Sequence, residues 1–392
     1  MNYLRWFREH PFLTVGVGSF LLAYIALGNE TFRSIFPLVY VWLLAVVLSM
    51  LIAIIVHELG HLIAGLLVGY RFSMFAILHF RIYREDNKLS ISWRQSQLYK
   101  TRYLGFVRFF IDDFTNFRQR RFWLTLGGPL ATALTVVVAG VLYANRPPLP
   151  PGSTPSLITA QDWLQRFLPL GLFMVDLAFL VLTLYPTPFN EGNVLLLLLR
   201  GGATLEQYQR LIQISNADAQ GVRPRDWDIS LINALLDSNA DEFTSHLLLY
   251  YWALDHHDQQ QARTALAAAI KSADKASAPD RAEIAVEAVY LDISDRANAQ
   301  DIEQLIAKLG KAINRAQPIT RMRLACAANL ALHQYAETRK IAHHALQLIE
   351  REKANTGGTI MERDLFHEMA ERVALAEKSG VGNIVTAGGT AL

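Results

Sequence analysis

An apolar stretch at residues 36–69 constrains this chain most, because it carries two histidines and a glutamate near its end. A helix needs about 20 apolar residues to cross a membrane. Similar stretches occur at 11–28, 122–143 and 168–185, and the last resumes after a break at 194–199. These four stretches predict about four transmembrane helices, with the lipid bilayer as a partner of the chain.

Charge is divided unevenly along the sequence. Residues 1–199 contain 16 Lys/Arg and 10 Asp/Glu, whereas residues 200–392 contain 21 and 25. The apolar, basic first half predicts a membrane domain and the mildly acidic second half a soluble one. No dense basic tract indicates a nucleic-acid surface, so no nucleic-acid partner is expected. The single cysteine, Cys326, excludes both an intrachain disulfide and a cysteine-based zinc site.

Loop charges predict the orientation. Residues 70–121 carry 11 Lys/Arg against four Asp/Glu, while 29–35 and 144–166 carry few charges and are expected to be outer loops. The positive-inside rule then places both termini and the 70–121 loop in the cytoplasm. We expect an integral protein of a bacterial inner (cytoplasmic) membrane, with residues 11–28 retained as an anchor.

The polar residues of the 36–69 stretch form the motif His57-Glu58-Leu59-Gly60-His61. Histidines four residues apart share one helix face and can hold one Zn²⁺. Glu58 is offset around the helix, where it could act on a metal-bound water as general base. The competing interpretation is an accidental polar cluster at a helix end.

A catalytic zinc needs a third protein ligand. Pro186 and Pro188 break the fourth apolar stretch near its cytoplasmic end, and Glu191 follows them. The orientation places this break at the depth of His57 and His61, which makes Glu191 the predicted third ligand. Asn190 is a weaker alternative, and Glu191 could instead be an ordinary interfacial acid.

The chain here resembles the site-2 protease family of intramembrane zinc metalloproteases. That family carries HExxH on its first core helix, and on its third an N-x-x-P-x-x-x-x-D-G pattern whose Asp is a zinc ligand. This sequence matches the second pattern at Pro186 and Gly192, but has Thr183 for the Asn and Glu191 for the Asp. The family's Gly-Pro element resembles Gly128-Pro129.

The resemblance implies a Zn²⁺ cofactor held by His57, His61 and Glu191, with Glu58 as the catalytic residue. It also assigns Gly128, Pro129 and Asn190 to the substrate or oxyanion region. The implied substrates are membrane-spanning proteins or signal peptides. A catalytically inactive membrane scaffold and a metal transporter or carrier are the alternatives.

Alternating apolar and polar residues at 75–83 and 89–93, around a polar turn at 85–88, predict a β-hairpin. In the family such a β-element presents an unfolded substrate strand; an ordinary cytoplasmic hairpin is the competing interpretation. Residues 106–122 interleave Phe with Arg, a pattern that suits an anchor at the headgroup layer.

Residues 203–380 are predicted to be helical, with helices beginning near 241, 258, 279, 298, 319, 336 and 360. Alternate starts are separated by about 38 to 41 residues, as in tetratricopeptide-type helix pairs, although an irregular bundle is the other possibility. Such arrays bind protein partners on a concave surface.

Together these patterns predict an all-α membrane protein with about four transmembrane helices, a small β-hairpin and a C-terminal tetratricopeptide-like helical domain. The expected domains are an anchor at 1–35, an intramembrane metalloprotease core at 36–200, a cytoplasmic helical domain at 201–380 and a disordered tail at 381–392.

Overall fold

The computed structural model describes residues 29–85, 88–93, 97–98, 104–146, 160–187, 190–238, 242–293, 299–353 and 355–379. The predicted anchor stretch 11–28 and the tail 381–392 lie outside them. The chain divides into two compact units. The first unit consists of the chain up to Leu78, Leu104–Arg108 and Arg118–Leu198. The second unit consists of His79–Tyr103, Phe109–Phe117 and the chain from Leu199 onwards.

The first unit is built on helices α1 (Asn29–Leu67), α2 (Phe117–Ala144), α3 (Ala160–Leu184) and α4 (Glu191–Arg200). Among the described residues, three segments are long and apolar enough to cross a membrane: Val41–Leu67, Phe117–Ala144 and Gln165–Leu184. All three expose large apolar side chains, such as Val47, Val137 and Leu182. Such outward faces suit lipid.

α1 and α2 approach through small residues. A side chain added at Gly60 would lie 2.3 Å from the Gly127 carbonyl oxygen, and one added at Gly127 would lie 2.5 Å from Ala64 Cβ. Lipid is as apolar as a leucine side chain, so helix association in a membrane depends on close packing of this kind. The resulting contact brings the HExxH turn of α1 against the Gly-Gly-Pro segment of α2.

Four β-strands follow α1: β1 (Arg71–Ile77), β2 (Phe80–Glu85), β3 (Lys88–Ser92) and β4 (Gly105–Phe110). Within the first unit β1 neighbours β4, and the Arg108 Nε–H donates to Ser73 Oγ at 3.1 Å. Within the second unit β2 and β3 form an antiparallel hairpin, with Ile82 opposite Ile91.

Three local expectations were wrong in detail. Residues 29–35 form the beginning of α1 and not a loop. The expected strand at 75–83 is two strands, because Leu78 takes a left-handed conformation (φ 51°) and reverses the chain. Residues 106–122 are not one anchor segment, since they contain most of β4, a connection and the first turns of α2.

The second unit contains α5 (Ala203–Ala219), α6 (Ile229–Asp237), α7 (Glu242–Asp255), α8 (Gln259–Lys271), α9 (Ala278–Ile293), α10 (Ala299–Leu309), α11 (Pro318–Ala331), α12 (Tyr335–Glu352) and α13 (Gly357–Lys378). Each of the seven predicted starts lies within three residues of an observed one. Asp258 shows why, because its carboxylate accepts from the Gln261 N–H and caps α8. Ala- and Leu-rich faces form the core between helices.

Candidate metal centre

α1 presents the two histidines on one face, as their spacing requires. His57 is buried and His61 is partly buried, and their Nε2 atoms lie 3.2 Å apart. The Phe179 ring of α3 packs edge-on against the His57 imidazole, with centroids 4.9 Å apart. The pair is therefore enclosed by protein where α1, α2 and α3 meet.

The break between α3 and α4 supplies the acid. α3 ends at Leu184, two residues before Pro186, whose ring cannot continue the helix. α4 begins at Glu191. A side chain at position 192 would lie 2.1 Å from the Leu184 carbonyl oxygen, so only glycine allows α4 to start this close to the end of α3. Pro188 lies outside the described residues.

Glu191 completes a three-residue cluster. Its Oε1 lies 2.8 Å from both His57 Nε2 and His61 Nε2. One ligand atom from each residue falls within 4.8 Å of the others. Atoms bound to one tetrahedral zinc at about 2.1 Å would lie about 3.4 Å apart. The donor set and its near-equal separations therefore fit zinc.

Hydrogen bonds behind the rings determine which nitrogen faces the cluster. His61 Nδ1 lies 2.8 Å from the Leu124 carbonyl oxygen, which can only accept, so this nitrogen carries the proton. The Gly128 N–H also points at His61 Nδ1, from 3.3 Å, but the shorter contact decides the tautomer. In the neutral imidazole the lone pair is then on Nε2, the nitrogen that faces Glu191.

His57 is held in the same tautomer as His61. Thr132 Oγ1 donates to the Gly128 carbonyl oxygen at 3.1 Å, so it can only accept from His57 Nδ1, 2.9 Å away. Two nitrogen lone pairs and a carboxylate oxygen then converge on one another. Glu191 Oε2 is also buried and has no partner among the described residues. Converging acceptors repel one another unless a proton or a metal cation lies between them.

The Gly-Pro element lies directly against the cluster. A side chain at Gly128 would lie 2.4 Å from His61 Nε2 and 2.7 Å from His57 Nε2, so this position must be glycine. Pro129 is buried inside α2 and lacks the N–H that would normally bond to the Thr125 carbonyl. The structure thus places Gly128 beside the predicted ligands, with Pro129 as the next residue of α2.

Asn190 is engaged elsewhere. Its Nδ2 donates to the Leu182 carbonyl at 2.9 Å and to the Tyr185 carbonyl, while its Oδ1 accepts from the N–H groups of Thr187 and Asn193 at 3.0 and 3.2 Å. Asn190 therefore joins the end of α3 to the start of α4, and it is not part of the three-residue cluster.

Glu58 is not one of the three clustered residues, and it lies on the side of α1 that faces β4. A side chain at Gly105 would lie 2.9 Å from Glu58 Oε1 and 2.8 Å from Glu58 Cγ. β4 therefore begins directly on the predicted general base. Sequence reasoning missed Gly105, Leu124 and Thr132. Only Thr132 left a signal, because it lies four residues after Gly128 and so shares its helix face.

Two further polar residues of α3 are not members of the three-residue cluster. Asp176 is fully buried, and both of its carboxylate oxygens lack a partner among the described residues. Thr183, which stands where the family pattern has Asn, donates to the Leu180 carbonyl of its own helix at 3.1 Å.

Comparison with known proteins agrees with this geometry. The family model of Peptidase family M50 matches residues 45–360. The match covers most of the chain, and this protein therefore belongs to peptidase family M50, the site-2 protease family. No curated protein matches the chain. No solved structure matches it either. Family membership makes it a membrane metalloprotease relative, with a His-His-Glu cluster able to hold a metal.

Proposed function

We propose that this protein is an intramembrane zinc metalloprotease that cleaves membrane-spanning segments or signal peptides near the cytoplasmic face. The observation that carries the proposal is the convergence of His57 Nε2, His61 Nε2 and Glu191 Oε1 beside an apolar span. Ionisable groups inside a membrane protein are costly unless they have a function.

Each residue has a defined task in this proposal. Zinc, bound by His57, His61 and Glu191, would supply a Lewis acid that acidifies a bound water and polarises the scissile carbonyl. Glu58 takes the proton from the attacking water and later delivers it to the leaving amine. Thr132 and the Leu124 carbonyl hold the two imidazoles in the ligating tautomer.

Substrate access follows from β4. Its first residue, Gly105, lies against Glu58, so an extended segment beside β4 would pass the general base. Backbone amides in a helix are shielded, and a substrate must be extended before cleavage. Gly128 and Pro129 would line the substrate or oxyanion side, and Asn190 would keep the α3–α4 break in place.

The basic 70–121 loop supports a cytoplasmic position for the site and for both termini in a bacterial inner membrane. The C-terminal helices would form a tetratricopeptide-like array that recruits or regulates, since paired helices of this kind present partner-binding surfaces. The proposed domains remain an anchor at 1–35, a protease core at 36–200, a helical domain at 201–380 and a disordered tail at 381–392.

Metal analysis and cleavage of a reporter transmembrane peptide test the proposal on purified protein. We expect about one zinc per chain, and Glu58→Gln should keep this zinc while cleavage falls by at least ~10³-fold. His57→Ala, which removes a proposed ligand, should lose both the zinc and the cleavage activity. Equal cleavage by wild type and Glu58→Gln would refute the proposal that the protein is a protease. A wild-type protein that contains zinc but does not cleave the peptide would favour the inactive scaffold.

Glu191 is tested separately by metal content. Glu191→Ala should lose zinc, and Glu191→Asp, which restores the family's usual ligand, should retain it. If neither change alters zinc content, Glu191 is not a ligand.

A further inference from the structure

The second unit binds a piece of its own connecting chain. Leu98, between β3 and β4, is completely buried among helices α11, α12 and α13, where its neighbours include Ile319, Cys326, Leu348 and Phe366. A residue from a connection thus fills a pocket of the helical core. The domain therefore has a site that accepts a leucine side chain from outside its helices.

Main-chain contacts accompany this side chain. The Leu98 carbonyl accepts from the Ile319 N–H at 3.3 Å, in the first turn of α11. The Gln97 N–H donates to the Glu352 carboxylate, and Arg351 donates to Gln97 Oε1 at 2.6 Å. Backbone pairing plus one buried apolar side chain is how proteins read extended peptides.

An open groove continues from this segment. Its volume is about 670 Å³, and Gln97 forms part of its wall. α11 and α12 provide a mixture of apolar and nitrogen-bearing side chains to its lining: Met322, Ile341, Leu348, Arg321, Lys340 and His344. An apolar depression of this size next to a bound segment is typical of a binding site.

The charge of the groove selects its occupant. Arg321 and Lys340 are the cationic side chains among the described residues of the lining. Lys340 reaches Glu337 at 3.3 Å, at an exposed position. No acidic side chain is among the described residues of the lining. Basic side chains on an apolar wall are complementary to a carboxylate next to an aliphatic side chain.

We propose that the α11–α12 groove binds an extended segment of a partner protein that carries acidic residues next to leucine-like residues. The segment lies alongside Gln97, with its carboxylate on Arg321 and its aliphatic side chain against Met322 and Ile341. This binding is independent of the metal centre and does not require that the protein cleaves peptides.

Fluorescence anisotropy on the full-length protein in detergent tests the proposal. The probes are labelled hexapeptides that combine two or three Glu or Asp with Leu, Ile, Met or Phe, and the same peptides with Lys in place of each acid. We expect the acidic set alone to bind. Arg321→Glu should weaken that binding by about 10- to 100-fold, the loss of one charge-assisted hydrogen bond.

Arg372→Glu is the matched control, because it makes the same charge change at an exposed position of α13, and it should bind like wild type. Arg321→Gln should also weaken binding, as should Ala325→Met, because Ala325 lines the groove and the longer side chain would fill it. An unchanged melting temperature of both variants shows intact folding. Four results would overturn the proposal: equal binding of the Lys peptides, equal effects of Arg321→Glu and Arg372→Glu, no acidic peptide bound at 1 mM, or a groove occupied by a second copy of the chain.

Discussion

At the scale of single residues, the proposed metal centre depends on groups other than its three candidate ligands. His57 and His61 each direct Nε2 inward because Nδ1 donates to an acceptor behind the ring, Thr132 in one case and the Leu124 carbonyl in the other. Such outer partners set both the tautomer and the orientation of the ring. The backbone partner of His61 cannot be altered by side-chain substitution, whereas Thr132 can.

Thr132→Val should weaken zinc binding by roughly 10- to 100-fold, because the isosteric side chain no longer accepts from His57 Nδ1. The measurement is zinc retention against a graded series of chelator concentrations. Thr135→Val is the control, since among the described residues the Thr135 hydroxyl bonds to the Ala131 carbonyl of its own helix. Coincident chelator curves for the two variants would contradict the assigned role of Thr132.

At the scale of elements, the junction between α3 and α4 is what brings Glu191 to the histidines. Asn190 satisfies groups on both sides of it, accepting from the first turn of α4 and donating to carbonyls at the end of α3. Helix ends leave such groups without intrahelical partners, and an unsatisfied one is costly in an apolar environment. A single amide side chain therefore holds the break in one conformation.

Asn190→Ala should destabilise this junction by roughly 2 kcal/mol, because it removes both halves of the network. Asn190→Asp should lose about half as much, since it keeps the oxygen that caps α4. Thermal unfolding and zinc content of each variant provide the measurement. Asn193→Ala, whose side chain takes no part in these bonds, is the control; a melting temperature of Asn190→Ala equal to that of the control would disprove the role.

At the scale of the whole molecule, the two units are stabilised by different physics. Close packing of small residues joins the apolar helices of the first unit. Burial of apolar side chains stabilises the second, around an ion network at its centre. There the buried Arg323 guanidinium bonds both Glu287 oxygens at 2.6 and 2.8 Å and Glu362 through Nε. Tyr250 donates to Glu287 at 2.6 Å.

This network makes the stability of the helical domain depend on pH. Burial raises the pKa of Glu362 from 4.5 to about 7, although Arg323 partly offsets the rise. The folded protein thus binds a proton that the unfolded chain releases between pH 4.5 and 7, so stability falls as pH rises through this window. Since one pKa unit corresponds to about 1.4 kcal/mol, the free energy of unfolding falls by roughly 3 kcal/mol across this window.

Glu362→Gln should remove this dependence, because the amide keeps the shape of the side chain without titrating. The measurement is hydrogen exchange between pH 5 and 8 in α9, α11 and α13, corrected for intrinsic exchange rates. It reports how the stability of these helices changes with pH. Glu371→Gln, at an exposed position of the same helix, should behave like wild type. A pH slope that is identical in all three proteins would rule out Glu362 as its source.

Much of the architecture could be predicted from local patterns. Apolar runs indicated the spans and polar caps indicated the helix starts, since both signals lie within a few neighbouring residues. The α3–α4 break and the acid that follows it could also be predicted, because prolines end helices. The loop predicted at 29–35 is helical, and the strand predicted at 75–83 is interrupted by a left-handed turn at Leu78. Both features depend on surroundings that the local sequence pattern does not show.

By itself the sequence determined the types of residue at the centre: two imidazoles on one helix face, a neighbouring carboxylate, and an acid after a helix break. The tertiary structure decided which atoms meet. Packing places Gly128 against the imidazole rings, and it places Thr132 and the Leu124 carbonyl behind them. It also places Gly105 against Glu58 and Leu98 in the helical core. These contacts join residues far apart in the chain, whose approach depends on the fit of whole surfaces and leaves no periodic signal in the sequence.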